Sequence, residues 1–590
     1  MRNLLVLVLL PFAAVFGQNS GSEAYPQQYF RNPLGVPLQL SANFGEVRKD
    51  HFHMGLDIRT QQRENLPIYA AAEGYISRVS IEQGGYGKAI YIQHPAGYIT
   101  VYGHLNGFYD TLERYLVAKQ YKDEQWEQDF ALEPGQFPVS KGQFIARSGN
   151  TGASGGPHLH FEIRDSRTGN NLNPLLFGLG LEDDIAPYVQ GLYWYDRRYS
   201  TYQVSPQRIP FDRSGSGYRV TDSLVRLGSP LVSFGIRAED KTNSSPFLFG
   251  VYEAGLWVDD SLHFYFQLNN FSYNDTRYLN ASIDYKSYTS TDLTIQHLSQ
   301  LPGNPLSVFT TDADRGVIRL TDTLEHTIRV LVKDVAGNAS VLQFRARYDA
   351  SLQQDLLFPM NSIALAPNQE NEVNGQSVKA HFSSKAFYDV VPFVLGEMPA
   401  QDWPNASVTA QLHNASVPVH DFYTVQLQLH DAAMAAYGDR LVMQLQNNRY
   451  GTVRKAEPVS SGWYKASFRN LGKVQLLADT IAPTIQPVGW RDGQTFTPQG
   501  SLRIRCSDNM RAVRYFSGKL DGQWLLFTHS TPDYLYTFDD RCGVGNHVLT
   551  VSVQDMAGNR TVREFRFTVQ PAKAKKATTK KTTNGTKRRK

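Results

Sequence analysis

The stretch Gly155-Gly156-Pro157-His158-Leu159-His160-Phe161-Glu162-Ile163-Arg164 carries residue types that can do chemistry at a spacing that can use them. Read as a strand from His158 onward, it puts His158, His160 and Glu162 on one face and Leu159, Phe161 and Ile163 on the other. The apolar trio can pack a core. The two imidazoles then lie about 6–7 Å apart, so that one can ligate a metal while the other reaches a substrate bound to it. Gly155-Gly156-Pro157 reads as an entry that lets another backbone come close and fixes the approach to the strand. Taken alone, histidines alternating on a strand are more often structural than ligands.

A second pair lies upstream. His53-Met54-Gly55-Leu56-Asp57 places a histidine and an aspartate at i, i+4, on one face of an extended segment, with Gly55 leaving room for a metal or substrate. Imidazole nitrogen and carboxylate oxygen suit Zn²⁺. His160 as a third ligand would complete a site with one open position, the mark of a catalytic rather than a structural zinc, and water bound there is acidified towards neutrality. The sequence has no His-Glu-x-x-His helix, so proton transfer and charge stabilisation must come from elsewhere. His104, at the end of a strand, and His158, beside His160, are the candidates. Glu162 either orients a neighbouring histidine or forms a plain salt bridge. His51 reads as a solvated loop residue, and His94, by a hairpin turn, as structural.

The elements that must position these side chains read as β. Residues 34–178 form a first domain of short apolar runs punctuated by glycine, with Pro95-Ala96-Gly97 as hairpin chemistry between Ile90/Ile92 and Ile99/Val101. Residues 107–133 break the pattern with charged, helix-spaced sequence around Leu112, Tyr115 and Leu116, which predicts a short helical insertion. It serves either as a wall or lid over the groove or as a surface decoration.

Beyond residue 180 an internal repeat appears. Asp184-Ile185-Ala186-Pro187 recurs as Asp479-Thr480-Ile481-Ala482-Pro483, and each lies upstream of an alternating strand closed by Asp-x-Ala-Gly-Asn, at Asp334–Asn338 and Asp555–Asn559. These tight turns and alternating strands predict Ig-like β-sandwich modules over 184–348 (with insertions) and 480–570, separated by a β-rich middle domain over 351–478. The fold class is therefore mostly β.

A chain of 590 residues exceeds one hydrophobic core, and about three to five domains are expected. Met1-Arg2-Asn3 followed by an apolar run from Leu4 to Phe16 and Gly17-Gln18 reads as a signal peptide over 1–17, hence an exported protein of the periplasm or cell envelope. No cysteine follows that run, which argues against a lipid anchor, and no later segment reads as transmembrane. Residues 18–33 read as a mobile leader able to occupy the groove. Cys506 and Cys542 form either one disulfide or two buried thiols. The net charge of +4 conceals a basic tail over 571–590: its nine cations, set against +4, leave the body at −5. Such a tail is suited to anionic envelope polymers or to solubility alone, and an acidic exported body argues against nucleic-acid binding.

The order His53-x-Gly55-x-Asp57, Tyr102-Gly103-His104, Ser148-Gly149-Asn150-Thr151-Gly152 and Gly156-Pro157-His158-Leu159-His160 resembles the lysostaphin/LytM-type zinc metallopeptidases across roughly residues 37–178. The resemblance implies a small antiparallel β peptidase domain, the duplicated hybrid motif. It implies Zn²⁺ held by His53, Asp57 and His160, with His104 and His158 as catalytic histidines. It further implies hydrolysis of peptide bonds in peptidoglycan stem peptides or cross-links. All five positions are filled, unlike in degenerate members that only activate amidases. The alternatives are a non-catalytic envelope scaffold, or peptidoglycan-binding regulator of a partner hydrolase, and a protease of proteins. The C-terminal modules resemble, more loosely, long Gram-negative envelope versions of the family.

Overall fold

A computed structural model describes residues 25–214, 217–356, 361–447, 451–530 and 532–571. The signal peptide, the first part of the leader and all but the first residue of the basic tail lie outside the described residues. No helix among the described residues is long and apolar enough to cross a membrane.

The N-terminal part is built on strands β1 (Leu40–Ala42), β2 (Leu56–Arg59), β3 (Pro67–Tyr69), β4 (Gly74–Ile81), β5 (Lys88–Gln93), β6 (Tyr98–Gly103), β7 (Leu105–Phe108), β8 (Gln128–Ala131), β9 (Pro138–Val139), β10 (Phe144–Ser148), β11 (His158–Asp165) and β12 (Asn171–Leu172). The large antiparallel sheet runs β1-β2-β11-β6-β5-β4-β8, and a small sheet, β3-β10-β7, packs beside it. Leu159, Phe161 and Ile163 of β11 are fully buried in the core shared with Leu56, Ile58, Tyr102 and Ile145. That burial fixes which face of β11 is left for its histidines, because a slip of one residue would exchange the two faces.

Residues 25–33 correct the reading of a mobile leader. Phe30 is 2% exposed, and its ring meets those of His94, Tyr98 and Phe177 at 5.4–5.8 Å. Tyr25 packs on Phe177 at 4.9 Å. Aromatic burial holds this segment in the core instead of leaving it free to enter a groove. The segment 107–133 holds a single helix, α1 (Asp110–Asp123), which buries Leu112 and Leu116. The chain then returns as β8, an edge strand paired with β4.

The rest of the chain is sheet stacked on sheet. A five-stranded and an eight-stranded sheet share a core between residues 188 and 348. Two five-stranded sheets and one two-stranded sheet do so over 363–478, and a four- and a five-stranded sheet over 484–569. Cys506 and Cys542 are free thiols buried in the last core.

The second core reaches into the first unit. Phe44, Phe52 and Met54 belong to it: Phe44 and Phe52 sit 4.5 and 5.4 Å from Phe271. Asn43 Nδ2 donates to the Gly250 carbonyl at 2.7 Å, and the Gly250 N–H returns a bond to Asn43 Oδ1 at 3.2 Å. Strand β12 continues the sheet by pairing with Asn270–Phe271. The loop carrying His53 is thus clamped from outside its own sheet. Phe271→Ala is expected to cost about 3–5 kcal/mol, read by chemical denaturation, and to speed amide exchange across residues 44–54. Unchanged exchange there would show that the loop is held by its own hairpin alone.

Candidate metal centre

Strand register assembles the centre. His160 of β11 lies opposite Asp57 of β2 on one side and opposite Gly103 of β6 on the other. His104 follows Gly103 directly, at the point where the chain leaves the large sheet for the small one. His53 is brought in by a short hairpin, with its N–H donating to the Glu46 carbonyl at 2.9 Å and its carbonyl accepting from Gly45 at 2.8 Å. His158 enters β11 opposite Arg59 and bridges Gly149. All five residues singled out in the sequence meet in one place: His53, Asp57, His104 and His160 are 4–8% exposed, and His158 is half-buried.

The outward nitrogens of the imidazoles are all engaged. His53 Nδ1–H donates to the Asn43 carbonyl at 2.7 Å, His104 Nδ1–H to Thr151 at 2.8 Å and His158 Nδ1–H to Gly156 at 2.8 Å. His160 Nε2–H donates to Glu162 Oε1 at 2.9 Å. These acceptors assign the tautomers and leave a lone pair on the opposite nitrogen of each ring. Two of those lone pairs, His53 Nε2 and His160 Nδ1, face each other at 3.1 Å, and each is 3.0 Å from Asp57 Oδ1. Ligand atoms around a tetrahedral zinc with bonds of about 2.0–2.1 Å stand about 3.3–3.4 Å apart. Two facing nitrogens and a carboxylate oxygen at this separation need a cation between them, a proton on His160 when no metal is bound or a metal in its place, and the donor set fits zinc. Arg48 takes the other oxygen, Oδ2, of Asp57 at 2.5 Å and leaves Oδ1 to the centre.

Beside this triangle the rings of His104 and His158 lie 4.6 Å apart, and His158 Nε2 is 3.4 Å from Asp57 Oδ1. His104 has φ of +59°, a left-handed conformation uncommon outside glycine and characteristic of constrained functional positions. Its N–H donates to the Tyr86 carbonyl at 2.8 Å.

Charge is organised in layers. Glu162 is fully buried, bonded to His160, to Tyr86 Oη at 2.6 Å and to Arg164 Nε at 2.7 Å. Burial works against its ionisation, yet Arg164 and His160 outweigh it and lower its pKa to about 2. Burial likewise opposes charge on His160, but Asp57 and Glu162 raise it to about 9. Burial opposes charge on Asp57 as well; without a metal, protons on the imidazole nitrogens that face it, His53 first, hold it well below the usual carboxylate range. Burial, reinforced by the neighbouring imidazoles, pushes His104 down to about 3. His53 is lowered chiefly by burial.

Two glycine expectations are corrected. A Cβ on Gly55 would fall 2.3 Å from the Phe161 carbonyl oxygen, so this glycine admits the neighbouring strand and not a metal or substrate. Gly155 and Gly156 have open space around them, and no second backbone approaches there. His51 is half-buried and paired with Asp50, while His94 is buried between the Glu73 carbonyl and Thr100 Oγ1. Sequence reasoning missed Arg48, Tyr86 and the carbonyls of Asn43 and Thr151. Only Arg164 carried a signal, two residues beyond Glu162 on the same strand face.

Comparison with known proteins matches residues 51–119 and 127–174 to peptidase family M23 and residues 362–479 to a Zu5-like domain. A metalloprotease of Haemophilus influenzae is 32% identical over 163 residues, 27% of this chain and 29% of that protein. The DD-carboxypeptidase/endopeptidase Mpg of Neisseria meningitidis is 32% identical over 127 residues, 22% of this chain and 23% of the relative. The lipoprotein NlpD of Yersinia enterocolitica is 35% identical over 111 residues, 19% of this chain and 88% of the relative. The chain thus spans less than a third of the length of the first two.

Glu162→Gln leaves Arg164 without its carboxylate and should lower stability, while in the folded protein zinc affinity falls by roughly 10–100-fold, read by competition with a chromogenic chelator. Unaltered affinity would mean that the His160–Glu162 bond does nothing for the ligand.

Proposed function

The chain belongs to peptidase family M23, and from that premise we propose that it is an exported zinc metalloendopeptidase that hydrolyses peptide bonds in peptidoglycan stem peptides or cross-links. The observation that carries this reading is the triangle of His53 Nε2, Asp57 Oδ1 and His160 Nδ1, with atoms 3.0–3.1 Å apart and every outward nitrogen engaged elsewhere. Zinc held by these three would supply Lewis acidity toward a scissile carbonyl and lower the pKa of a water.

The remaining work falls to His104 and His158. Their Nδ1 protons are committed to the carbonyls of Thr151 and Gly156, which leaves each Nε2 to accept a proton. Once protonated there, each can donate to an oxygen that gains negative charge or to a departing amine. His104, kept neutral by burial, enters as an acceptor. Arg48 and Glu162 hold Asp57 and His160 in place without touching the reacting atoms. The apolar start of the chain and the relatives named as a lipoprotein and as a DD-carboxypeptidase/endopeptidase support an enzyme of the periplasm or envelope. In that compartment the basic tail can meet anionic polymers.

Purified sacculi incubated with the full chain should release uncross-linked muropeptides, and a chelator should stop the release. His160→Ala should lose zinc. His158→Ala should keep most of its zinc while turnover falls by roughly 10²–10⁴-fold, with product masses identifying the bond. Binding to sacculi with no chelator-sensitive release would support the non-catalytic scaffold instead.

A further inference from the structure

Away from the histidines, the repeated Asp-x-Ala-Gly-Asn turn frames a cluster of carboxylates. Asp183, Asp240 and Asp334 each bring one oxygen within 4.8 Å of the others. Hydrogen bonds explain two of the three. Asp334 Oδ1 accepts from the N–H groups of Gly337 and Asn338 at 2.7 and 2.9 Å. Asn338 Nδ2 binds Asp334 Oδ2 at 2.8 Å and the Asp183 carbonyl at 3.2 Å. Asp183 Oδ1 accepts from the Ile185 N–H at 3.1 Å.

Asp240 is accounted for only in part: the Lys241 N–H bonds its carboxylate, and one oxygen is left over. It follows the strand Leu231–Glu239, is 5% exposed, and its Oδ1 has no hydrogen-bond partner. Thr242, 3% exposed, likewise leaves Oγ1 unpartnered. Both line a cavity of about 140 Å³ together with Asp183, and that cavity reaches Leu40 and Asn43 of the first unit. An unpaired buried carboxylate oxygen beside two more acids is costly. Burial, with its acidic neighbours adding, pushes Asp240 up to about 7 and Asp183 up to about 6.

The arrangement occurs twice. Asp479, Asp508 and Asp555 bring oxygens equally close. Asn559 Nδ2 reaches the Asp479 carbonyl at 2.9 Å, as Asn338 reaches Asp183. Asp183 and Asp479 each stand four residues before the proline of Ile-Ala-Pro. Asp508 follows the strand Ser501–Ser507, and its Oδ1 is again buried without a partner. Turn formation explains one acid per module; it gives no reason for an acid with one buried, unpartnered oxygen at the same corner in both.

We propose that Asp183, Asp240, Asp334 and Thr242 form a calcium-binding site at the seam between the first and second cores. An all-oxygen donor set selects a hard cation over zinc. Calcium accepts several protein oxygens in flexible geometry, whereas magnesium keeps its waters and demands a regular octahedron. The site shares its cavity with Asn43, whose carbonyl orients His53, so the ion would brace the support of the catalytic centre without entering it.

The test uses the full-length, zinc-loaded chain in calcium-free buffer, titrated calorimetrically with calcium alone, in an Asp508→Asn background that silences the C-terminal counterpart. Calcium should bind with one equivalent at this site and raise the melting temperature. Adding Asp240→Asn should weaken binding by roughly a hundredfold with zinc content unchanged, and Thr242→Val should weaken it several-fold without a change of charge. Equal calcium binding with and without Asp240→Asn, or none in either, would overturn the site and mark Asp240 as a buried protonated acid. Should Asp240→Asn fail to fold, unchanged affinity in Thr242→Val overturns it equally.

Discussion

The register of β11 between β2 and β6 is the constraint on which the rest depends. It sets His160 opposite Asp57 on one side and Gly103 on the other, and from that single alignment the Asp57 carboxylate and His104 take their places. Apolar burial alone would leave the strand free to tolerate a polar back face facing water. Here both faces are buried, and Glu162, fully enclosed, is bonded on every side by His160, Tyr86 and Arg164. Removing one partner of such a network leaves a buried charge uncompensated. The polar face therefore specifies register as strongly as the apolar one.

His53 depends on a different support. Its hairpin is short, and Phe44, Phe52 and Met54, around and beside it, are buried in the core of the following unit. The peptidase sheet thus supplies Asp57 and His160, while a neighbouring core holds the hairpin that supplies His53. This division explains why the bonds between Asn43 and Gly250 matter beyond the seam: the Asn43 side chain ties the two units, and its backbone carbonyl fixes the tautomer of His53.

Much of the centre was legible because alternation on a strand is a strong local signal. Two apolar and two imidazole positions in His158–Phe161 dictate faces whatever the tertiary context. The i, i+4 spacing of His53 and Asp57 and the mostly β character were legible for the same reason. What was not legible came from sequence-distant packing. Arg48 on Asp57, Tyr86 on Glu162 and the carbonyls that set each tautomer have no local pattern. Gly55 was read as space for a ligand, yet the same absence of Cβ serves the close approach of the Phe161 carbonyl; a glycine reports that something comes near without naming it. Residues 25–33 looked loose because their aromatic residues lack periodicity, though Phe30 and Tyr25 find Phe177 across the fold.

The helix read either as a wall or lid over the groove or as a surface decoration has its distal end engaged elsewhere. Tyr121 of α1 meets Trp524 at 5.3 Å and lies 3.6 Å beneath the Arg541 guanidinium, and Trp126 stacks on His529 at 4.7 Å. The match to the peptidase family breaks at 120–126, the stretch that makes these contacts. The last unit is therefore docked on a stretch outside the family match, through aromatic and cation–π contacts worth about 0.5–2 kcal/mol each, with Leu526 packed on the first core and its N–H donating to Tyr121 Oη at 3.3 Å. The second unit is fused through a continuous apolar core and a shared sheet. The two junctions differ in what they hold: the first involves none of the five residues of the centre, whereas the second carries the hairpin of His53.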